Sequence, residues 1–382
     1  MRSRKFLFAI VVVFVTILSG CWNYRELDDV AIVSGFALDK YQDDRYYLTL
    51  EIVEPNQKGG ETELSPEIYG IEGDSVFGAV RNAVFRVGKR LYWSHTKIAI
   101  INKEIASESM LPVLDWVSRD AEVRSDMIVL ISDGETAREI MDVKLQGQDI
   151  FSFHIFNTVQ NENISKFIKV PLWKFIDSIM EDNTGSVLPR IRKVKYKERY
   201  IGQVYGMSVF KKDRLIGYLD GNETRSLKLI TGRPVRVLVV IKEKGGGRPT
   251  RVSLEVFNNY VDIEPKWDGN QLTMKVNIKI ESGIGEISTD RNLIDEKGRK
   301  RLSRRAEKML RREIEELIRK SQNKYEVDIF GFAPLIERKM PIKWKEMEGD
   351  WERIYREMEP EVSVTLTIKG SALKSKPIKV GE

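Results

Sequence analysis

The sequence has 382 residues, a length typical of two or three domains. Hydrophobic residues make up 42% of it and charged residues 31%, a globular composition that excludes a fibrous, collagen-like or fully disordered chain. The formal charge is +6, and Arg2, Arg4 and Lys5 near the N-terminus contribute to it. Such a weak charge imbalance gives no reason to expect a nucleic-acid partner.

The N-terminus has the pattern of a secretion signal. A basic start precedes an apolar run from Phe6 to Leu18, which suits a signal peptide but is shorter than the roughly 20 residues that span a bilayer. The run leads through Ser-Gly into Cys21, the sole cysteine, an order that resembles the lipobox of bacterial lipoproteins. We predict that residues 1–20 are removed and that acyl chains such as palmitate on Cys21 hold the chain at the outer face of the cell membrane. The alternatives are a secreted protein with an incidental cysteine and an uncleaved membrane helix.

Residues 21–195 are predicted to form an N-terminal domain, or two, that mixes strands and helices. Val30–Leu38 and Tyr46–Val53 are rich in β-branched and apolar residues, which favours two strands joined by a polar turn. Valines at helical spacing predict a helix over 74–87 with Asp74 as its cap. The other elements predicted here are strands at 97–101 and 127–131, and helices at 110–117, at 135–141 with a cap near Asp133, and in two pieces over 152–182, the second opened by Pro171.

A basic stretch near 190–203 predicts a boundary before a C-terminal domain at 203–375. Apolar residues, recurring at helical spacing, predict a long amphipathic helix over 292–325. The other predicted elements are a helix at 223–230 and strands at 205–211, 215–219, 235–242, 251–257, 272–281 and 362–368. The fold class predicted for the whole chain is α+β, with several domains of mixed sheets and helices.

Few residues could support catalysis or metal binding. The single cysteine excludes an intramolecular disulfide and a thiolate metal cluster, and only His95 and His154 supply imidazole. Their apolar neighbours favour structural roles, and no GxSxG motif accompanies them. Gly245–Gly247 lacks the following Lys-Ser/Thr of a phosphate-binding loop, which favours a hairpin tip. The sequence therefore predicts no enzyme, no cofactor and no metal.

The long helix carries a dense row of basic side chains. They are Arg299, Lys300, Arg301, Arg304, Arg305, Lys308, Arg311 and Arg312. One hypothesis is that these residues dock on anionic lipid headgroups near the anchored surface. The favoured hypothesis is a solvated face with i,i+4 ion pairs to Glu307, Glu313, Glu315 and Glu316.

Three segments stand out as an ordered set. They are CWNYRELDD (21–29) with AIVSG (31–35), GMSVFKKDRLIGYLD (206–220) with ETR (223–225), and YEVD (325–328) with FGF (330–332) and Trp351. Together with the lipobox, this set resembles the Ger(x)C family, the lipoprotein C subunits of spore germinant receptors. The resemblance extends from residue 21 to about residue 370, nearly the whole mature chain.

The resemblance implies a non-enzymatic α+β subunit needed for spore germination. It implies a location at the inner membrane of the spore, beside a polytopic A-type subunit and a transporter-like B-type subunit in an assembly triggered by nutrients. Among the site residues, the resemblance defines a role for Cys21 alone. It does not indicate whether this subunit contacts a small-molecule nutrient. Two other functions remain from the residues themselves: a lipid-anchored solute-binding protein with an interdomain cleft, and a peptidoglycan enzyme built on carboxylates.

Overall fold

The chain folds around two β-sheets that carry helices. The computed structural model describes residues 29–58, 61–143, 149–161, 166–232, 236–243, 250–288 and 293–371. Both sheets mix parallel and antiparallel strands, and helices pack against them. This arrangement confirms the predicted α+β class.

The larger sheet, named the large sheet, has nine strands within the described residues. They are β1 (Val30–Lys40), β2 (Tyr46–Lys58), β3 (Glu61–Gly73), β4 (Arg90–Tyr92), β5 (Ile98–Asn102), β6 (Ile128–Ser132), β7 (Gly185–Tyr196), β8 (Arg199–Lys211) and β9 (Arg214–Leu219). Their order is β3-β2-β1-β5-β6-β7-β8-β9, with β4 paired to β1. The central strands β1, β5, β6 and β7 are parallel, whereas antiparallel strands extend both edges.

Helices cover the centre of the large sheet. They are α1 (Val76–Val87), α2 (Lys103–Glu108), α3 (Leu111–Arg119), α4 (Arg138–Met141), α5 (Phe151–Gln160) and α6 (Leu172–Met180). Every residue of β5 and β6 is buried, as in parallel strands that are covered on both faces.

The second sheet, named the small sheet, lies in the C-terminal half. Its strands are β10 (Val237–Glu243), β11 (Thr250–Trp267), β12 (Leu272–Ile287) and β13 (Glu359–Ser371), in that order. The helices of this half are α7 (Gly221–Ile230), α8 (Glu296–Lys320), α9 (Phe332–Lys339), α10 (Pro341–Met347) and α11 (Trp351–Glu357). Because β12 and β13 are parallel, a crossover must join them, and α8 to α11 form that crossover. The long helix α8 packs its apolar face against β13.

Two predicted helix caps are wrong. Asp74 does not cap α1, because the hydroxyl of Ser75, one residue nearer the helix, accepts the N–H of Gly78 at 3.0 Å. Asp133 does not cap the helix predicted over 135–141, because α4 begins only at Arg138. A carboxylate from another strand, Asp39 of β1, accepts the N–H groups of its first turn instead.

Several elements of the structure are absent from the sequence-based prediction. They are strands β3, β4 and β7 and the short helices α2, α9, α10 and α11. The long helix is confirmed; it begins after Asp295 and continues as a π-helical turn to Tyr325. Residues 245–247 and 292 lie outside the described residues. Strand β8 begins inside the predicted boundary region and β9 follows it, yet both belong to the large sheet. The limits 21–195 and 203–375 stay a prediction.

Candidate functional site

The large sheet meets the end of the long helix at a junction formed by Gly217, Tyr218 and Tyr325. The buried ring of Tyr325 follows α8, and its hydroxyl donates to the carbonyl of Tyr218 at 2.7 Å. A Cβ atom added to Gly217 would lie 2.3 Å from Cε1 of Tyr325, so a glycine is needed for the ring to fit. The junction therefore joins two of the three segments that stand out in the sequence.

Ion pairs join the same two parts of the protein beside this junction. Helix α7 begins with a capping box between Asp220 and Glu223. The Glu223 carboxylate also binds Nζ of Lys320 in the long helix at 2.6 Å. Two residues further along α7, Arg225 binds Glu313 at 2.5 Å with only 9% of its side chain exposed. Helix α7 is thus attached to the long helix by two pairs, one of them largely shielded from water.

The chain turns sharply after Tyr325, around the buried side chain of Asp328. The Asp328 carboxylate accepts the N–H groups of Phe330 at 2.9 Å, Gly331 at 3.0 Å and Ala333 at 2.8 Å. Gly331 has a φ of 79°, a conformation that favours glycine. Burial raises the pKa of Asp328 to about 6, although the N–H groups lower it. This carboxylate fixes the turn and the start of α9.

A cleft of 810 Å³ opens beside this turn, between the end of α6, the β8–β9 turn and helices α9 to α11. Its carboxylates are Glu181, Asp182, Glu326, Asp328, Glu337, Glu348 and Glu352, and its lysines are Lys211 and Lys212. Lys211 pairs with Glu352 at 2.7 Å. The rings of Trp344, Trp351 and Tyr355 also line the cleft and pack in sequence, with centroids 5.3 and 5.7 Å apart. The three aromatic side chains are buried beneath the cleft, which has an excess of negative charge.

The buried carboxylates of the described residues hold helix starts. Like Asp328, Glu51 accepts backbone N–H groups, from Phe151 at 2.8 Å and Ser152 at 2.9 Å. Asp39 does so for α4, and its burial raises its pKa while these N–H groups lower it. The other carboxylates of the cleft are exposed or half-buried. Within the described part of the chain, no group of three or more His, Cys, Asp or Glu side chains is placed to hold a metal ion. The arrangement favours helix capping over the paired carboxylates that proton transfer needs.

The structure separates the other candidate residues. Cys21 lies outside the described residues, which begin eight residues later. His95 and His154 are both exposed, and neither lines the cleft. No helix of the described residues is long and apolar enough to cross a membrane.

The basic row of the long helix is partly paired. Two of the predicted i,i+4 pairs are present, Arg311–Glu315 at 3.6 Å and Arg312–Glu316 at 3.1 Å. Glu313 binds Arg225 instead, and Glu307 accepts the N–H of Leu366 at 2.9 Å. These two carboxylates attach the helix to its neighbours, a role that helical spacing alone could not indicate.

Two protein-family models match the chain in order. The first, described as spore germination protein N-terminal domain, matches residues 23–193, and the second, described as spore germination B3/GerAC like, C-terminal, matches residues 205–372. The chain belongs to the Ger(x)C family of spore germination proteins. This assignment confirms the resemblance inferred from the sequence segments.

Relatives of the family span the whole chain. Spore germination protein KC of Bacillus subtilis (strain 168) is 26% identical, with 98% of each chain covered. Spore germination protein B3 of the same strain is 22% identical, with 94% of this chain and 96% of the relative covered. The crystal structure of the GerBC protein has a TM-score of 0.60 and 19% identity, and the match covers 88% of this chain and 97% of that one. The relatives support a role in germination, and the solved structure shows the shared fold.

The segments that resemble the Ger(x)C family lie at packing contacts. Ser34 and Gly35 of the first segment are in β1, where the Ser34 hydroxyl donates to Glu51 at 2.7 Å. A Cβ atom added to Gly35 would lie 2.1 Å from Oγ of Ser152 at the start of α5. The second and third segments meet at the junction. In the described residues, these segments therefore hold the structure together. The second and third also supply Lys211, Lys212, Glu326, Asp328 and Trp351 to the lining of the cleft.

Proposed function

We propose that this chain is a lipid-anchored C-type subunit of a nutrient germinant receptor. The observation that carries the proposal is the ordered match of the two germination-protein models over residues 23–193 and 205–372. The lipobox that ends at Cys21 supports attachment to the outer face of the cell membrane, which in the spore is the inner membrane. We infer a non-enzymatic role, consistent with a family of receptor subunits.

The proposed partners are the polytopic A-type and B-type membrane subunits. An acylated Cys21 confines the folded chain to the membrane surface. Confinement raises the effective concentration of membrane subunits around the chain, so that assembly does not require a large intrinsic affinity. The lipid at Cys21 would thus act through concentration, and the folded domains would supply the specific contacts.

Affinity purification from mildly solubilised spore membranes tests this function. A tagged chain is compared with Cys21→Ala and with the control Ser19→Ala, which keeps a small residue before the cysteine. We expect A-type and B-type subunits to co-purify with the unsubstituted chain and the control. The Cys21→Ala chain should lose its acyl anchor and move to the aqueous phase in detergent partitioning. Unchanged partitioning would exclude the anchor, and a deletion strain with normal germination by every nutrient and no co-purified subunits would exclude the receptor function.

The acidic cleft favours a second candidate function, a lipid-anchored solute-binding protein. A site with an excess of carboxylates suits a small ligand with a cationic group. A ligand that binds only the folded state stabilises it by about 2.7 kcal/mol at 100 times its Kd. Thermal unfolding in the presence of single amino acids and sugars measures this effect, and no shift with any of them would exclude the candidate.

A further inference from the structure

The exposed side of helix α1 combines apolar and basic side chains. Phe85 is 88% exposed and Phe77 is 51% exposed, while the opposite side of the helix is buried against the large sheet. At 100° per residue, Phe77, Arg81, Val84 and Phe85 fall within an arc of about 100°. Arg86 lies about 100° beyond Phe85, at the margin of the exposed side. We propose that this exposed side, named the α1 face and formed by Phe77, Arg81, Val84 and Phe85 with Arg86 at its margin, docks on a bilayer that contains anionic phospholipid.

The charge of the α1 face is suited to such a surface. The Arg81 guanidinium lies 4.7 Å from the ring centre of Phe77, which keeps the cation beside the apolar side chain. Among the described residues, neither Arg81 nor Arg86 has a carboxylate within ion-pair distance. Three carboxylates nearby are already paired: Glu72 with Arg45 at 3.1 Å, Asp115 with Arg119 at 2.8 Å and Glu122 with Arg90 at 2.5 Å. Asp120, in the groove beside Phe77 and Arg81, accepts the N–H of Glu122. On α1 and the residues just before it, the exposed carboxylate is that of Asp74. The two arginines can therefore meet lipid phosphates without first breaking an ion pair.

The position of the α1 face relative to the anchor supports the same occupant. Val30 at the start of β1 pairs with Arg90 of β4, which follows α1 after a turn of two residues. Nine peptide units separate Cys21 from Val30, so the anchored residue lies no more than about 30 Å from this strand end. An anchor at Cys21 therefore keeps the C-terminal end of α1 close to the bilayer. This inference rests on the proposed lipidation of Cys21.

Aromatic and basic side chains on one helix face are typical of helices that lie in the membrane interface, where aromatic rings enter the headgroup region and cations contact phosphates. A protein partner would need a complementary apolar and acidic surface. The tether holds lipid near this end of α1 in every copy of the chain, whereas a membrane subunit reaches it only by lateral encounter. The bilayer is therefore the occupant that the geometry favours.

A fluorescent probe on the full lipidated chain tests the proposal. Cys21 is the sole natural cysteine, and its acylation leaves Val84→Cys as the one reactive thiol. Ile342→Cys, at an 82% exposed position on α10, is the matched control. Each labelled chain is placed in phosphatidylcholine vesicles with or without phosphatidylglycerol, and brominated acyl chains serve as the quencher. We expect quenching at position 84 to be at least about twofold stronger than at position 342, and to increase with phosphatidylglycerol.

The variants separate docking from anchoring. Arg81→Glu with Arg86→Glu should reduce quenching at position 84 to the level of the control, while the chain still floats with the vesicles through Cys21. Equal quenching at the two positions in a chain that floats would overturn the docking proposal. The docking proposal would also be overturned if the probe at position 84 were shielded from water in native spore membranes but accessible to water in lipid vesicles. That result would indicate a protein partner. Loss of flotation in the chain with intact arginines would instead exclude the anchor, and with it the proposed function.

Discussion

Gly217→Ala should loosen the junction between the large sheet and the long helix. The new methyl carbon would lie 2.3 Å from Cε1 of Tyr325, far inside van der Waals contact, and the ring is buried. Overpacking of this kind costs about 1–3 kcal/mol. A ring displaced by the methyl group also loses its hydrogen bond to the carbonyl of Tyr218, worth about 1 kcal/mol. We expect the free energy of unfolding to decrease by about 2–4 kcal/mol.

Equilibrium unfolding in urea, followed by tryptophan fluorescence, measures this decrease. With a slope of about 3 kcal/mol per molar urea, the midpoint should fall by about 1 M. Gly349→Ala is the matched control, because no atom lies within 4 Å of the place that its new methyl group would occupy. Tyr325→Phe removes the hydrogen bond alone and should cost about 1 kcal/mol. Equal stability of Gly217→Ala and Gly349→Ala would show that the Tyr325 ring does not require a glycine at position 217.

Two further predictions concern charged groups near the junction. Glu313→Gln should lower the free energy of unfolding by about 2–4 kcal/mol, because it leaves Arg225 unpaired with only 9% of its side chain exposed. Glu316→Gln, which breaks an exposed pair on the same helix, should cost less than about 1 kcal/mol; equal urea midpoints for the two variants would contradict this. The second of these predictions is that the free energy of unfolding depends on pH through Asp328. The pKa of Asp328 is raised from 3.8 to about 6, so the folded state holds this proton more tightly than the unfolded state. The stability from Asp328 is therefore complete below pH 3.8 and is lost as pH rises through about 6, a decrease of up to roughly 3 kcal/mol. Over this pH range, the urea midpoint of Asp328→Asn should decrease less than that of the unsubstituted chain. Equal decreases in the two midpoints would rule out Asp328 as the cause.

The sequence predicts the elements whose pattern is local. The buried strands β5 and β6 are short runs of β-branched residues, and the long helix has a regular apolar face, so both are visible without a structure. Strand β3 escapes prediction because charged residues interrupt it and it lies at a sheet edge with its outer side in water. Strand β7 escapes prediction because its basic residues look like a linker, although Leu188 and Ile191 are fully buried.

The contacts at helix starts could not be predicted, since they join residues far apart in the chain. Asp39 is 98 residues from Ala137, and Glu51 is 100 residues from Phe151. A local search for caps finds Asp74 and Asp133 instead, because those residues have the right type at the right spacing. The predicted lipidation site, Cys21, depends on local sequence alone, because a lipobox is a continuous motif.

The large sheet also determines how the chain can be divided. Val187 pairs with Val209 and Ile191 with Val204, so one edge of β7 is covered by β8, which begins between the two family matches and ends within the second. A fragment that ends at Glu198, just after β7, would expose this edge of the strand along its length, and such an edge recruits strands from other molecules. Expression of the N-terminal half alone is therefore expected to give aggregates, whereas a fragment extended to Leu219 keeps β8 and β9 and closes that edge. Trimming experiments on this protein are best designed around the hairpin after β7.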